Sequence, residues 1–344
     1  MPGLVSQRIE LANEYEAVQD MYLERGWSDG LPIIPPTPER VEAMMTATDL
    51  NAQHVVAELP PNWGAATLEK LAINAVMAGC LPSYFPVLVA AVEAMSDPVF
   101  NLYAIQATTH PCAPLIIVNG PIRSELGMNG SSGAFGPGWR PNAVIGRAVR
   151  LALLNIGGAH PGIADMSTQG APSKFSYCVA ENEESNPWAP LHVERGFRPQ
   201  QSAVTVLAGE PPHNINDHAS SSAEDILTII AGAMGVTGAN NAYTGGETLL
   251  ALGPEHAGTI ARDGLSKLDI ADWLGRRATI PLERYTEETM IERFGKVPDG
   301  PVPMVASPED LTIIVVGGPG KHSCWIPTFG GTTHSVTRSI NVKL

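Results

Sequence analysis

The chain has 344 residues, 44% of them apolar and 16% charged, with 35 acidic against 21 basic side chains and a formal charge of −14. That length buries a sizeable core in one large or two intimately packed domains. The acidic balance, with no Lys/Arg-rich face, speaks against nucleic acid and against an anionic membrane surface as partners. No run reaches the roughly 18–20 uninterrupted apolar residues of a membrane span. The N-terminus lacks a signal pattern, so a cytoplasmic protein is expected. Cys80, Cys112, Cys178 and Cys324 are widely spaced with no CxxC pair, which suits free thiols in a reducing compartment.

Residues 8–25 place Ile9, Leu11, Tyr15, Val18, Met21 and Tyr22 at helical spacing before Gly26. The prolines of Trp27–Pro36 force extended backbone, which predicts a rigid strap over the body. Thr37 then caps a helix with Pro38 at its first position. Thr67 caps a second helix, and residues 86–95, apolar nearly all round, predict a buried one. Pro114–Val118 is the first strand, ended by Asn119-Gly120-Pro121. A glycine-rich loop, 128–142, leads into a helix carrying Arg147 and Arg150, with Asn142 as its cap. Residues 157–200 are irregular apart from a strand near Phe175–Glu181. Ala203–Gly209 is a buried strand, followed by a loop holding His213, Asp217 and His218. A helix over 222–234 follows, with Ser221 and Glu224 as a capping box. Next come the strand Thr248–Leu252, short helices near 255–263 and 266–275, and a Pro- and acid-bearing excursion over 279–309. The last strand, Leu311–Val316, ends in a glycine loop.

Strands without polar alternation, separated by helices, predict an α/β fold of mostly parallel buried strands with flanking helices. An N-terminal helical and α/β part covers 1–156 and a C-terminal α/β part 157–344, unless the whole is one domain. In an open parallel sheet, ligands bind beyond the carboxyl ends of the strands. That rule gathers Asn119, the loop from Glu210 to His218, His256, and Lys321 to Cys324.

His213, Asp217 and His218, with His256 as a third nitrogen, form the ligand set of a divalent Zn, Fe or Mn site. Their spacing matches neither HExxH nor an HxH strand, and the same residues serve equally well as turn caps and backbone-bonded histidines. His322 is a fourth nitrogen candidate and, with Cys324 and Lys321, a candidate catalytic group, His322 or Cys324 assisting proton transfer. Gly317 and Gly318 open a loop whose N–H groups, with Lys321, suit an anion. Cys324 close to His322 is a candidate thiolate or, equally, a buried cysteine in a tight turn. Arg140, at a helix start behind a glycine loop, suits a carboxylate or phosphate, and Asn119 joins it as a substrate-binding candidate. His110 and Cys112 sit at the amino end of the first strand and should lie away from this site. The run Glu181, Glu183 and Glu184 reads as a solvated face, with a general base among them as the alternative.

The stretches GWSDGLPIIPPTPERVEAM, INAVMAGCLPSYFPV, FGPGWRPNAVIGRAVRL and GGPGKHSCWIPTFG together resemble an uncharacterised bacterial family marked by a GWxDGLPxxPPT motif. They are also similar to the UGSC family of (seleno)proteins, named for a Sec/Cys-Gly-Ser-Cys motif that this chain does not contain. The resemblance covers most of the chain and implies an ordered cytoplasmic bacterial protein, but no reaction. With no redox-cofactor motif visible, the residues point first to a metal-dependent hydrolase or lyase. Its substrate is expected to be a small anionic organic molecule, and the protein a homo-oligomer. The alternatives are thiol chemistry through Cys324 or Cys112, and a non-catalytic small-molecule-binding protein or complex subunit that docks through its proline-rich strap.

Overall fold

The principal strands are buried on both faces, and their alternating side chains show why. In the computed structural model, which describes residues 4–10 and 14–342, β1 (Val55–Leu59) and β2 (Gly64–Thr67) form an antiparallel hairpin. Two four-stranded sheets are then built from β3 (Ala113–Asn119), β4 (Cys178–Ala180), β5 (Ala203–Gly209), β6 (His213–Asn216), β7 (Thr248–Leu252), β10 (Leu311–Val315), β11 (His322–Ile326) and β12 (Val336–Ser339). The short pair β8 (Thr279–Ile280) and β9 (Val302–Pro303) lies apart, within the 279–309 excursion, which also carries the helix Glu287–Phe294. One sheet has the order β12-β5-β3-β4 and the other β10-β7-β11-β6.

Leu115, Ile117, Val179 and Leu207 of the first sheet pack against Leu249, Ala251, Ile314 and Ile326 of the second. The intervening residues face outward. Ile116, Val118, Val204 and Val206 meet the N-terminal helices. Leu250, Leu252, Ile313 and Val315 meet the helices Ala223–Met234, Pro254–Arg262 and Lys267–Arg277. The result is four layers, helices on sheet on sheet on helices, in which each such side chain stabilises by about 1.5–3 kcal/mol.

The α/β class holds, but the sheets are mixed. Only β3–β4 and β7–β10 are parallel, whereas β3–β5, β5–β12, β7–β11 and β6–β11 are antiparallel. Burial on both faces here comes from stacking two sheets under helical covers, and it carries no information about strand direction. Strands β5 and β12 complete the sheet begun by β3, so the region after residue 157 contributes to both sheets.

Local signals are well met elsewhere. Pro38–Met45 follows Thr37, and Leu68–Ala78 follows Thr67, whose hydroxyl accepts from Lys70 N–H at 3.3 Å. Phe85–Met95 is buried all round. The strap is tied down. Ile33 exchanges two hydrogen bonds with Gln19, and Arg147 grips Asp29 with two bonds of 2.8 Å. The first helix runs only from Tyr15 to Glu24: residues 8–10, expected to be helical, are irregular, and residues 11–13 lie outside the described residues. Two cap assignments shift. Ser222 caps Ala223–Met234 through Asp225. Asn142 lies inside the helix Arg140–Asn155, where its amide exchanges bonds with the backbone of Asn129 instead. No single helix among the described residues is long and apolar enough to cross a membrane.

Candidate functional site

The chain path decides which strand ends meet. Strand β5 finishes beside the start of β3, as Gly209 pairs with Ala113. After Glu210-Pro-Pro the chain crosses to the second sheet and runs back as β6, a strand that sequence patterning reads as loop. Antiparallel pairing of β11 with both β6 and β7 makes β6, β7 and β10 point the same way. Their carboxyl ends therefore share one end of the sandwich and bring together Asp217, His218, His256, Lys321 and His322.

At this end His218 Nε2 lies 3.2 Å from His322 Nε2, with both rings exposed. His322 Nδ1 is 3.0 Å from the Asn214 amide oxygen. That oxygen only accepts, so Nδ1 carries the proton and Nε2 of His322 presents a lone pair. Lys321 Nζ donates to the carbonyls of His218 (3.2 Å) and Ser220 (3.0 Å), pinning the loop and leaving one further donor on the ammonium. Asp217 is buried. Burial pushes its carboxyl up, but hydrogen bonds from Ser220 and Ala219 to Oδ1 outweigh that and hold it below the usual carboxylate range. Its Oδ2 is buried without a partner, an arrangement that costs about 1–3 kcal/mol unless something donates to it.

The expected metal-site residues are thus only partly gathered. His256 is 1% exposed and both its nitrogens are engaged, one with Ser323 Oγ and one with Asp217 O. His213 is exposed at the start of β6, opposite Trp325. Among the described residues, no three His, Cys, Asp or Glu side chains form a group that could hold an ion.

The anion-binding candidates are occupied by the protein itself. Arg140 donates through Nε and Nη2 to Gly79 O, closing the end of the helix Leu68–Ala78. Asn119 is fully buried and donates to Glu181 (2.6 Å) and Glu183 (3.0 Å). Gly317 N–H is spent on Gly130 O and Gly317 O on Asn182, while Gly318 lies against Ser132 with no room for a Cβ. Gly320 N–H binds Glu255 at 2.7 Å, so a protein carboxylate already fills that part of the loop. Cys324 lies between the sheets, and burial raises its thiol pKa.

The glutamate run is not a solvated face. Glu181 is fully buried and accepts from Asn119, Asn186 and Leu191 N–H, and Glu183 is mostly buried beside Arg123. Only Glu184 is exposed. As expected, His110 and Cys112 lie at the opposite end. His110 Nε2 meets Glu210 at 2.7 Å, and Tyr177 donates its hydroxyl to Glu210 O. Nearby, Asp165 takes Lys174 at 2.7 Å and Arg150 at 3.1 Å. Sequence reasoning missed these pairings, which join residues up to 100 positions apart without any local motif. Family models and curated proteins alike contain no match to the chain.

Proposed function

We propose that the protein is an enzyme of small molecules that holds a divalent metal ion between His218 and His322. It would use the ion to hydrolyse a small anionic organic substrate or to eliminate a group from one. The observation that carries this reading is the facing pair of Nε2 atoms at 3.2 Å. Two nitrogens each bound to a tetrahedral ion at its usual distance stand about 3.3–3.4 Å apart. The bond from His322 Nδ1 to Asn214 is the outer-shell contact that orients a ligating imidazole and sets its tautomer. Both rings face solvent, which leaves the remaining coordination positions to water and substrate. A divalent ion held there polarises a carbonyl or acidifies a water molecule. The free donor of Lys321 supplies positive charge beside the pair for an anionic group. Thiol chemistry has less support, because burial drives the Cys112 thiol up to about 12 and raises that of Cys324.

Titration of chelator-treated protein with Zn²⁺, Co²⁺ and Mn²⁺ by calorimetry tests the reading. One ion per chain is expected, weakened by about 10–100-fold or more in His218→Ala and in His322→Ala. Wild-type protein that takes up none of these ions overturns it. Ligand-induced stabilisation without turnover across a panel of small esters, amides and hydroxy acids would favour a binding protein instead.

A further inference from the structure

Away from the histidine pair, a narrow cavity lies between the helix Leu102–Ala107, the start of β3, the helix Arg140–Asn155 and the turn Pro172–Lys174. It admits roughly one water-sized body. Val149 and Leu153 give it apolar walls, and Gln106, Arg150, Ser173 and Lys174 supply its polar lining. Gln106 is 2% exposed, and its amide nitrogen is buried with no partner among the described residues. The hydroxyl of Ser173 is buried and unpartnered in the same way. Folded proteins pair nearly all such groups, so two of them lining one cavity point to a ligand that accepts from both.

Charge decides the kind of ligand. Two cations, Arg150 and Lys174, line the cavity, and no carboxylate does. Asp165, their shared partner, stands outside the lining with both oxygens filled, Oδ1 by Ser167 and Oδ2 by Lys174 and Arg150. Glu210, the other carboxylate at this end, is turned to His110. One carboxylate against two cations leaves one positive charge in excess. Lys174 Nζ, with a single bond made, keeps two donors. We propose that the cavity binds one small monovalent anion of about the size of chloride, which accepts from Gln106, Ser173 and Lys174. A water molecule would answer the two orphaned groups but not the excess charge, which is costly to bury without a counter-charge. The anion ties together the four segments that meet here. The site shares no residue with the His218–His322 pair, so it holds or fails independently of the metal reading.

The test uses the full chain in sodium gluconate, whose anion is too large for the cavity, with chloride or bromide substituted at constant ionic strength. The thermal unfolding midpoint should rise saturably with either halide, as binding to the folded state alone requires. Gln106→Leu keeps most of the bulk, removes the amide and should weaken halide affinity by about 10–100-fold. Ser173→Ala is a second variant if Gln106→Leu fails to fold. Ile105→Val, at a buried position in the same helix, should lower the midpoint yet keep the halide dependence. Crystals grown in sodium bromide should show one anomalous scatterer beside Gln106 and Lys174. Wild type without a saturable halide effect overturns the proposal, as does unchanged halide affinity in Gln106→Leu and Ser173→Ala. A water molecule in place of bromide overturns it too, and so does a bromide peak with no saturable effect in solution, which is binding at crystal concentration only.

Discussion

The two ends of the sheet sandwich carry similar side chains in opposite conditions. Where β6, β7 and β10 finish, the rings of His218 and His322 are exposed, and neither is ion-paired among the described residues. Where β5 finishes, His110 is matched to Glu210, and the Asp165 side chain, 4% exposed, is shared by Lys174 and Arg150. The difference teaches that residue type alone does not mark a site. The exposed imidazoles bond to each other and to Asn214 within reach of solvent, whereas a carboxylate saturated by two cations is part of the framework.

The largest expected effect separates the two ends by stability. Asp165→Ala leaves Lys174 and Arg150 uncompensated and should cost about 3–5 kcal/mol in urea unfolding. His218→Ala and His322→Ala, in metal-free protein, should stay within about 0.5 kcal/mol of wild type. A loss at His218 equal to that at Asp165 would erase the contrast.

A smaller effect is set by pH. Burial pushes the Asp165 carboxyl up, but the hydrogen bonds from Lys174 and Ser167 outweigh this and hold it below its ordinary value. Its contribution is therefore fully present above the unfolded pKa of about 3.9 and disappears as pH falls through the lower folded value. Unfolding free energy measured from neutral pH downward should fall along this acid limb in wild type. In Asp165→Asn the limb should flatten, and an unchanged limb would remove Asp165 from the account.

The smallest effect concerns the thiols. Burial holds Cys80 and Cys112 up at about 12 and raises Cys178 as well, so all three should resist iodoacetamide in native protein near neutral pH. Cys324, partly exposed between the sheets but also raised, should be alkylated first and slowly, as followed by mass spectrometry. Fast labelling of Cys112 would show that the opposite end is open and reactive, contrary to the comparison.

Much of the fold is legible in local pattern. The runs 113–119, 203–209, 248–252 and 311–315 are strands because each carries consecutive apolar residues between turn signals, and Phe85–Met95 is buried because no polar face interrupts it. Strand β6 escapes such a reading because Ile215 is its one buried residue between His213, Asn214 and Asn216. Strand β11 escapes because His322-Ser323-Cys324 looks like a continuation of the glycine loop before it. The candidate site is half legible. His218 and His322 are visible as histidines near strand ends, but their contact spans 104 residues and depends on β6 turning back along the second sheet.

By itself, the sequence determined the α/β class, the positions of the main strands and helices, the helix start after Thr37 and the cap at Thr67. These depend on residues within a few positions of one another, where periodicity, proline geometry and capping chemistry act. Only the tertiary structure decided strand direction, the inward turn of Glu181, the engagement of Arg140 with Gly79, and which histidines face each other. Burial on both faces arises from the stacking of whole layers, and a polar side chain becomes framework or candidate ligand according to partners that lie far away along the chain.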